Sequence, residues 1–222
     1  MFIRDPHSTG VRIFRWIVFL LAAGYFVRHV WFTADYTAPG GPFRYLTFWA
    51  LTLSTVSAMA MLSISEGTNR RDWSLLVGVA AVTNALVVLL YWRLWFTDPA
   101  LVNNNGPIVW YDEYYFHLLG PILQWIDALL IFGGFRRFFP GLGGVGGVTL
   151  GYIGWIELFV GPRNDFPVGS VTSGMPYPFL NSMTFDERSG FYVSAAVSVL
   201  MFLVVLWGLS WLSRKLFGIA RQ

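Results

Sequence analysis

The sequence predicts an all-α polytopic membrane protein, a bundle of six transmembrane helices with both termini in the cytoplasm. Of its 222 residues, 55% are apolar and only 12% are charged, whereas a soluble domain carries about 25% charged residues. The chain also holds 11 tryptophans and 20 phenylalanines, which one soluble core of this size would hardly bury. Since no linker interrupts the chain, we expect a single six-span domain over residues 1–222.

Six runs of mainly apolar residues approach the length of about 20 that a spanning helix needs. The first follows basic residues as a signal peptide does, but its apolar run is longer and no small-residue cleavage site follows, so we expect a retained span. The fifth is the shortest. In order, the predicted spans are Arg12–Trp31, Tyr45–Ile64, Trp73–Phe96, Tyr114–Phe132, Val145–Val160 and Phe191–Phe217.

The fifth span is rich in glycine. Gly143, Gly147 and Gly151 recur every four residues, a spacing that lets helix backbones approach closely in lipid. It predicts a tight packing seam on this helix.

The distribution of arginine and lysine predicts the orientation. Ten of the fifteen basic residues lie in the termini and in the second and fourth connections. Cytoplasmic segments carry this excess, so the first, third and fifth connections should lie on the opposite side. We expect an integral, multi-pass protein of the cytoplasmic membrane if its source is bacterial, or of the endoplasmic reticulum or plasma membrane if eukaryotic.

Several kinds of partner are not expected. The chain has no cysteine, which excludes disulfides and thiolate ligands. It has no His-Glu-x-x-His motif or other dense ligand cluster, so we expect no metal and no cofactor. The net charge of +3 sits at helix ends rather than in a basic stripe, which argues against a nucleic-acid partner and leaves membrane lipids as surroundings.

Ionisable residues inside spans are costly and indicate function by default. Asp127 follows His117 by ten residues, about 15 Å along a helix, so we expect Asp127 to tie helices together rather than to contact His117. Glu157 is open to a structural or a functional interpretation, and Arg93 is expected to reach the membrane surface. One hypothesis is therefore a non-enzymatic binding or transport protein that uses Asp127, Glu157 and His117.

Thr47 and His117 support a different hypothesis. Thr47 comes three residues after Arg44 and His117 four residues after Glu113, which places both roughly 5–7 Å inside the same membrane face. If their helices are neighbours, the imidazole can take the proton of the threonine hydroxyl as that hydroxyl attacks an ester. The residues alone also allow a Thr47 hydroxyl bonded to its own helix and a structural His117.

Four stretches carry a resemblance to a known family. They are GGPFRYLTF, RRDW, HLLGPILQWID, and GYIGWIELF followed by GMPYPFL. In this order they resemble the androgen-induced gene and androgen-dependent TFPI-regulating protein family, and related bacterial six-span proteins. The resemblance implies a membrane-embedded hydrolase of lipid esters, similar to those that cleave fatty acid esters of hydroxy fatty acids. Thr47 then matches the nucleophile and His117 the base, and the substrate is a lipid ester with long acyl chains.

Substrate-binding residues are also predicted on this face. Arg44 is expected to hold a fatty-acid carboxylate and Tyr177 to donate a hydrogen bond to the oxyanion. The stretch SGMPYPFLNS around Tyr177 predicts either an interfacial aromatic anchor or a lid over the acyl groove. The loop from Gly161 to Gly174 is longer than the family pattern. Alternative donors are Asn84, Gln124, Tyr114 and Tyr115.

Overall fold

The computed structural model describes residues 2–103, 109–165 and 174–217. These residues form six long helices and no strand, which confirms the predicted all-α bundle of six apolar helices. The placement of both termini in the cytoplasm stays a prediction. The six helices are α1 Thr9–Thr33, α2 Leu46–Ser65, α3 Ser74–Thr97, α4 Trp110–Phe132, α5 Phe138–Arg163 and α6 Phe185–Phe217.

The bounds of the first three helices lie within three residues of their prediction, whereas the later helices are longer. The fifth, expected to be the shortest, has 26 residues and begins at Phe138. Glycines lower helix propensity in water, but in lipid every backbone group must bond within its own segment. The glycine-rich stretch therefore stays helical. α6 begins at Phe185, six residues earlier than predicted.

α3 is the central helix of the bundle. In the most apolar 18-residue stretch of α3, 67% of the residues are buried. The corresponding stretches of α1 and of α5 are each only 22% buried. Ala80, Ala81 and Val82 of α3 are fully enclosed, while Leu150 of α5 and Val193 of α6 face outward. A surrounding lipid explains the outward-facing leucine and valine, since a soluble protein would expose charged residues at such positions.

A buried ion pair joins three helices at the end of the bundle that holds the amino terminus. Arg15 of α1 is 1% exposed and bonds Asp127 of α4 at 2.8 Å. Its guanidinium also donates to the Ser65 hydroxyl and the Met61 carbonyl of α2. Asp127 thus ties helices together, as expected, and the extra acceptors offset the cost of removing both charges from water.

The predicted glycine seam does not form within the described residues. A side-chain carbon added at Gly143, Gly147 or Gly151 would meet no atom within 4 Å. The close approach occurs instead at Gly144, where such a carbon would lie 2.6 Å from Cγ2 of Val79 on α3. The seam prediction is wrong because spacing alone does not say which face of α5 turns toward the core.

The segment before α2 sets the position of Thr47. Gly40 has a φ of 82°, a left-handed conformation that glycine adopts without a steric penalty. The following 3₁₀ turn, Gly41–Arg44, is held by the indoles of Trp49 and Trp155, which both donate to the Phe43 carbonyl at 2.8 and 3.0 Å. Thr47 consequently lies in the first turn of α2.

Residues 174–184 of the connection between α5 and α6 pack into the bundle. Asn181 is fully buried and bonds both the N–H and the carbonyl of Met175, at 2.6 and 2.7 Å. This clamp closes a tight loop that carries Pro176, Tyr177 and a short helical turn, Pro178–Asn181. The loop packs over the start of α2, where the Tyr177 hydroxyl accepts the Leu46 N–H at 2.9 Å.

Candidate active site

The structure brings Thr47 and His117 together. Thr47 Oγ1 lies 3.4 Å from His117 Nε2, and the His117 residue is only 6% exposed. Other threonines of α2 behave differently: Thr52 and Thr55 donate to carbonyls four residues earlier, at 2.7 and 2.8 Å. The carbonyl four residues before Thr47, that of Phe43, already accepts the indoles of Trp49 and Trp155, and the Thr47 hydroxyl faces the imidazole instead.

The helix around His117 departs from regular α geometry. Residues Tyr115–Leu119 form a π-helical turn, a local widening that is frequent at functional sites. Pro121 follows four residues after His117 and has no N–H to donate to the His117 carbonyl. Trp92 of α3 donates its indole N–H to that carbonyl at 2.8 Å. The backbone that carries the imidazole is therefore anchored from a second helix.

Glu113 is one of several site residues that the sequence interpretation missed, with Tyr91, Trp92 and Tyr152. Its carboxylate oxygen Oε2 and its own carbonyl each lie 3.1 Å from His117 Nδ1. Two acceptors at Nδ1 place the imidazole proton there and leave the lone pair of Nε2 directed toward Thr47. The spacing of Glu113 and His117, one helical turn apart, was the available signal, because residues at i and i+4 meet on a helix surface.

Tyr91 fixes the plane of the imidazole. Its ring stacks on that of His117 with 3.5 Å between centroids and 5° between planes. Its phenol also interacts with the Glu113 carboxylate. Together with Trp92, Tyr91 makes the end of α3 a rigid support for the histidine.

Two tyrosine hydroxyls lie near the start of α2, and that of Tyr177 interacts with Thr47. The Tyr177 oxygen accepts the Leu46 N–H, which leaves the hydroxyl proton of Tyr177 directed elsewhere. The Tyr177 hydroxyl also interacts with the side chains of Tyr152 and Thr47. Tyr152 donates to the Arg44 carbonyl at 2.9 Å. Burial raises the pKa of Tyr177 to about 12. Its phenol therefore stays protonated near neutral pH and keeps a proton to donate.

These groups line an apolar cavity of about 560 Å³ between the helix ends, within the usual size range of ligand sites. Thr47, Glu113, His117, Tyr91, Tyr152 and Tyr177 all contribute to its wall. The loop segment from Pro176 to Leu180 covers it from one side, where a lid was one of the two predicted roles. The aliphatic part of the lining includes Leu51, Leu86, Val87, Leu90, Leu94 and Ile156.

Three other predicted substrate-binding residues do not line this cavity. The Arg44 guanidinium lies 3.6 Å from the Asp35 carboxylate and stacks on the Tyr45 ring. Asn84 bonds Ser54, and Gln124 bonds the carbonyl of Val77. Asn84 and Gln124 line a separate cavity of about 20 Å³ on another side of Thr47. Their contact with substrate stays a prediction.

The ionisable residues of the alternative hypothesis lie in separate places. Asp127 is enclosed in its pair with Arg15, and Glu157 bonds Arg188 and Tyr192 at 2.9 and 2.7 Å. Neither lines the cavity that holds His117. Within the described ranges the three do not form one connected polar path. The part of the chain that the structure describes contains no group of three acidic or histidine side chains that could hold a metal ion.

The fold and the site together define a class: integral membrane proteins of six helices with a hydroxyl–imidazole pair in the wall of an apolar cavity near one end of the bundle. A family model described as FAR-17a/AIG1-like protein matches residues 12–213. The chain therefore belongs to this family, the androgen-induced gene family to which its motifs pointed. No curated protein sequence and no solved structure matches it.

Proposed function

We propose that the protein is a membrane-embedded hydrolase of long-chain lipid esters, with Thr47 as nucleophile and His117 as general base. The observation that carries this proposal is the 3.4 Å contact between Thr47 Oγ1 and His117 Nε2 in the wall of an apolar cavity. Membership of the FAR-17a/AIG1-like family fits this activity. The remaining geometry supports a role for each neighbouring group.

In the first half-reaction, the hydroxyl proton of Thr47 moves to His117 Nε2 as Oγ1 attacks the ester carbonyl carbon. The new imidazolium keeps its other proton on Nδ1, beside the Glu113 carboxylate, whose negative charge stabilises it. The carbonyl oxygen becomes an oxyanion and accepts a hydrogen bond from Tyr177. When the intermediate collapses, the ester C–O bond breaks and the alcohol leaves with the proton from Nε2.

The second half-reaction releases the acyl chain from Thr47. A water molecule gives one proton to His117 Nε2, and its oxygen attacks the acyl carbonyl. Collapse of this intermediate returns the proton to Thr47 Oγ1 and frees the fatty acid. The apolar wall strengthens these charge interactions because it replaces water with a medium of low polarity.

Hydrolysis of a fluorogenic long-chain ester in proteoliposomes tests the proposal. Thr47→Ala and His117→Ala should each lower kcat by at least about 10³-fold, and the double variant should be no worse than either single one, because the pair acts as a unit. Thr52→Ala is the matched control, since it removes a half-buried threonine of the same helix that bonds its own backbone. Activity of Thr47→Ala within a few-fold of the Thr52→Ala control would refute the mechanism.

A further inference from the structure

The small cavity beside Thr47, about 20 Å³ in volume, is where polar side chains of three helices converge. Its lining includes Thr47 and Ser54 of α2, Asn84 of α3 and Gln124 of α4. Asn84 and Gln124 are only 3% and 4% exposed. Polar groups buried inside a membrane span are costly unless they are bonded, so their hydrogen bonds show what this cavity can hold.

The two buried amides have partners for their N–H groups but not for their oxygens. Gln124 Nε2 donates to the Val77 carbonyl at 3.1 Å. Asn84 Nδ2 donates to Ser54 Oγ at 2.7 Å and to the Ala80 carbonyl at 2.9 Å. These contacts fix the orientation of both amides, because an amide oxygen cannot donate to a carbonyl. Within the described part of the chain, Gln124 Oε1 is buried without a partner, and no group donates to Asn84 Oδ1.

One water molecule fits these requirements. It needs a cavity of about 10–15 Å³ and two to four polar partners, and the small cavity offers about 20 Å³. The two O–H groups of a water molecule can donate to Gln124 Oε1 and Asn84 Oδ1. Its oxygen can accept from Ser54, whose hydroxyl oxygen accepts from Asn84 and keeps its own proton to donate.

The small cavity shares a wall with the large one. Thr47, Leu51 and Phe116 belong to the linings of both cavities and so form the partition between them. Once an acyl chain on Thr47 occupies the large cavity, the chain and the apolar lining keep bulk water out. The second half-reaction nevertheless consumes one water molecule for each ester. Water held at the partition would lie next to the acylated side chain.

We propose that the small cavity binds the water molecule that hydrolyses the acyl–Thr47 intermediate, with Gln124 and Asn84 as its hydrogen-bond acceptors. This inference rests on the proposed hydrolase function and assigns the site of its second substrate. The water oxygen bonds to the acyl carbonyl carbon as one of its protons moves to His117 Nε2. The bond from that carbon to Thr47 Oγ1 then breaks, Oγ1 takes the proton from Nε2, and the fatty acid keeps the other proton of the water.

A crystal structure at a resolution that shows ordered water tests the site itself. We expect one water molecule within about 2.5–3.0 Å of both Gln124 Oε1 and Asn84 Oδ1. Its density should be lost in Gln124→Met, which keeps the length of the side chain but has no carbonyl oxygen. Clear density for both amides with no water bound to either would overturn the proposal.

Separate measurement of the two half-reactions tests the role of this water. In Gln124→Met the rate constant for release of the acyl chain should fall about tenfold, because the water loses one hydrogen bond. Intact-protein mass spectrometry of samples quenched during turnover of a long-chain ester should then show acylated protein accumulating. The reaction of Thr47 with a long-chain fluorophosphonate needs no water, so its rate should stay within about threefold of the wild type.

Ser54→Ala is a second variant of the same cavity that leaves the bond between Gln124 and Val77 in place. It should also slow acyl release more than fluorophosphonate labelling. The matched control is Thr83→Val, which removes a buried hydroxyl of α3 that bonds its own helix and lines neither cavity. Both rates of this control should equal those of the wild type.

An equal fall of both rates in Gln124→Met and Ser54→Ala would mean that these residues support the fold or the nucleophile, and would overturn the proposal. An unchanged rate of acyl release in both variants would overturn it as well, while leaving the hydrolase intact. Cleavage of the ester by Thr47→Ala as fast as by the wild type would instead refute the proposed hydrolase function, and the role of the water with it.

Discussion

At the scale of single residues, the site is organised around His117. Four groups reach it from three helices: Thr47 of α2, Tyr91 and Trp92 of α3, and Glu113 of its own helix. Thr47 lies in the direction of the Nε2 lone pair, and Tyr91 fixes the plane of the ring. Trp92 anchors the backbone of His117, and Glu113 holds the proton on Nδ1. An imidazole held in this way needs little reorganisation to accept a proton from Thr47.

Glu113→Gln should lower kcat by about 10–100-fold, because the imidazolium formed during attack loses its neighbouring negative charge. Glutamine has nearly the same shape and its carbonyl oxygen still accepts from Nδ1, so the position of the ring should be kept. His117 faces Thr47, Tyr91 and Glu113, and only Glu113 carries a charge. The loss should appear in kcat rather than in KM, because Glu113 acts through His117 and not on the binding of the ester.

The matched control is Asp186→Asn, an exposed carboxylate at the start of α6. A wild-type kcat in Glu113→Gln would contradict the positioning role of Glu113. A lower kcat together with a midpoint of thermal unfolding well below that of Asp186→Asn would indicate that Glu113 acts on folding rather than on the charge of His117.

The sequence predicts part of this site and misses the rest for a physical reason. The fixed rise per residue of a helix predicted that Thr47 and His117 lie at the same depth below the same membrane face. Depth does not give the rotation of a helix about its axis, so it could not show that Arg44 turns toward Asp35 or that Asn84 and Gln124 face away from the large cavity.

At the scale of helices, hydropathy predicts where the spans lie but not how they pack. All six spans were predicted, since backbone bonding in lipid requires helices of a certain length. The packing face of α5 was predicted wrongly, because its glycines occur on several faces of the helix. The structure distinguishes them: Gly144 contacts α3, whereas Gly147 contacts nothing within 4 Å.

Gly144→Ala should therefore lower the stability of the protein, whereas Gly147→Ala should not. An added methyl at Gly144 overlaps the stiff, buried side chain of Val79, and such overpacking costs about 1–3 kcal/mol. At Gly147 alanine meets open space, and its higher helix propensity should be neutral or stabilise by up to about 1 kcal/mol.

The midpoint of thermal unfolding in detergent measures this pair of variants. We expect a lower midpoint for Gly144→Ala and an equal or higher one for Gly147→Ala. Equal losses in both variants would mean that the face of α5 that packs on α3 has been placed wrongly.

At the scale of the whole molecule, the two ends of the bundle differ. One end carries the buried pair of Arg15 and Asp127, and the other carries the cavity with Thr47 and His117. The distribution of basic residues predicts that the cavity end faces away from the cytoplasm. A lipid ester would then reach Thr47 from the non-cytoplasmic leaflet.

Cysteine labelling tests this orientation directly, because the chain has no cysteine of its own. Thr37→Cys places a thiol in the exposed connection before α2, and Thr68→Cys places one in the exposed connection after it. A maleimide that does not cross membranes should label Thr37→Cys in intact cells or spheroplasts and should label Thr68→Cys only after lysis. The reverse pattern would invert the predicted topology.

The chemistry on Thr47 is the central claim, and identification of the covalently modified residue tests it most directly. The purified protein is treated with a long-chain fluorophosphonate, which traps an activated hydroxyl, and the adduct is located by mass spectrometry of its peptides. We predict an adduct on Thr47 in the wild type, a much slower reaction in His117→Ala and none in Thr47→Ala. An adduct on another residue, or equal labelling of all three proteins, would contradict the account.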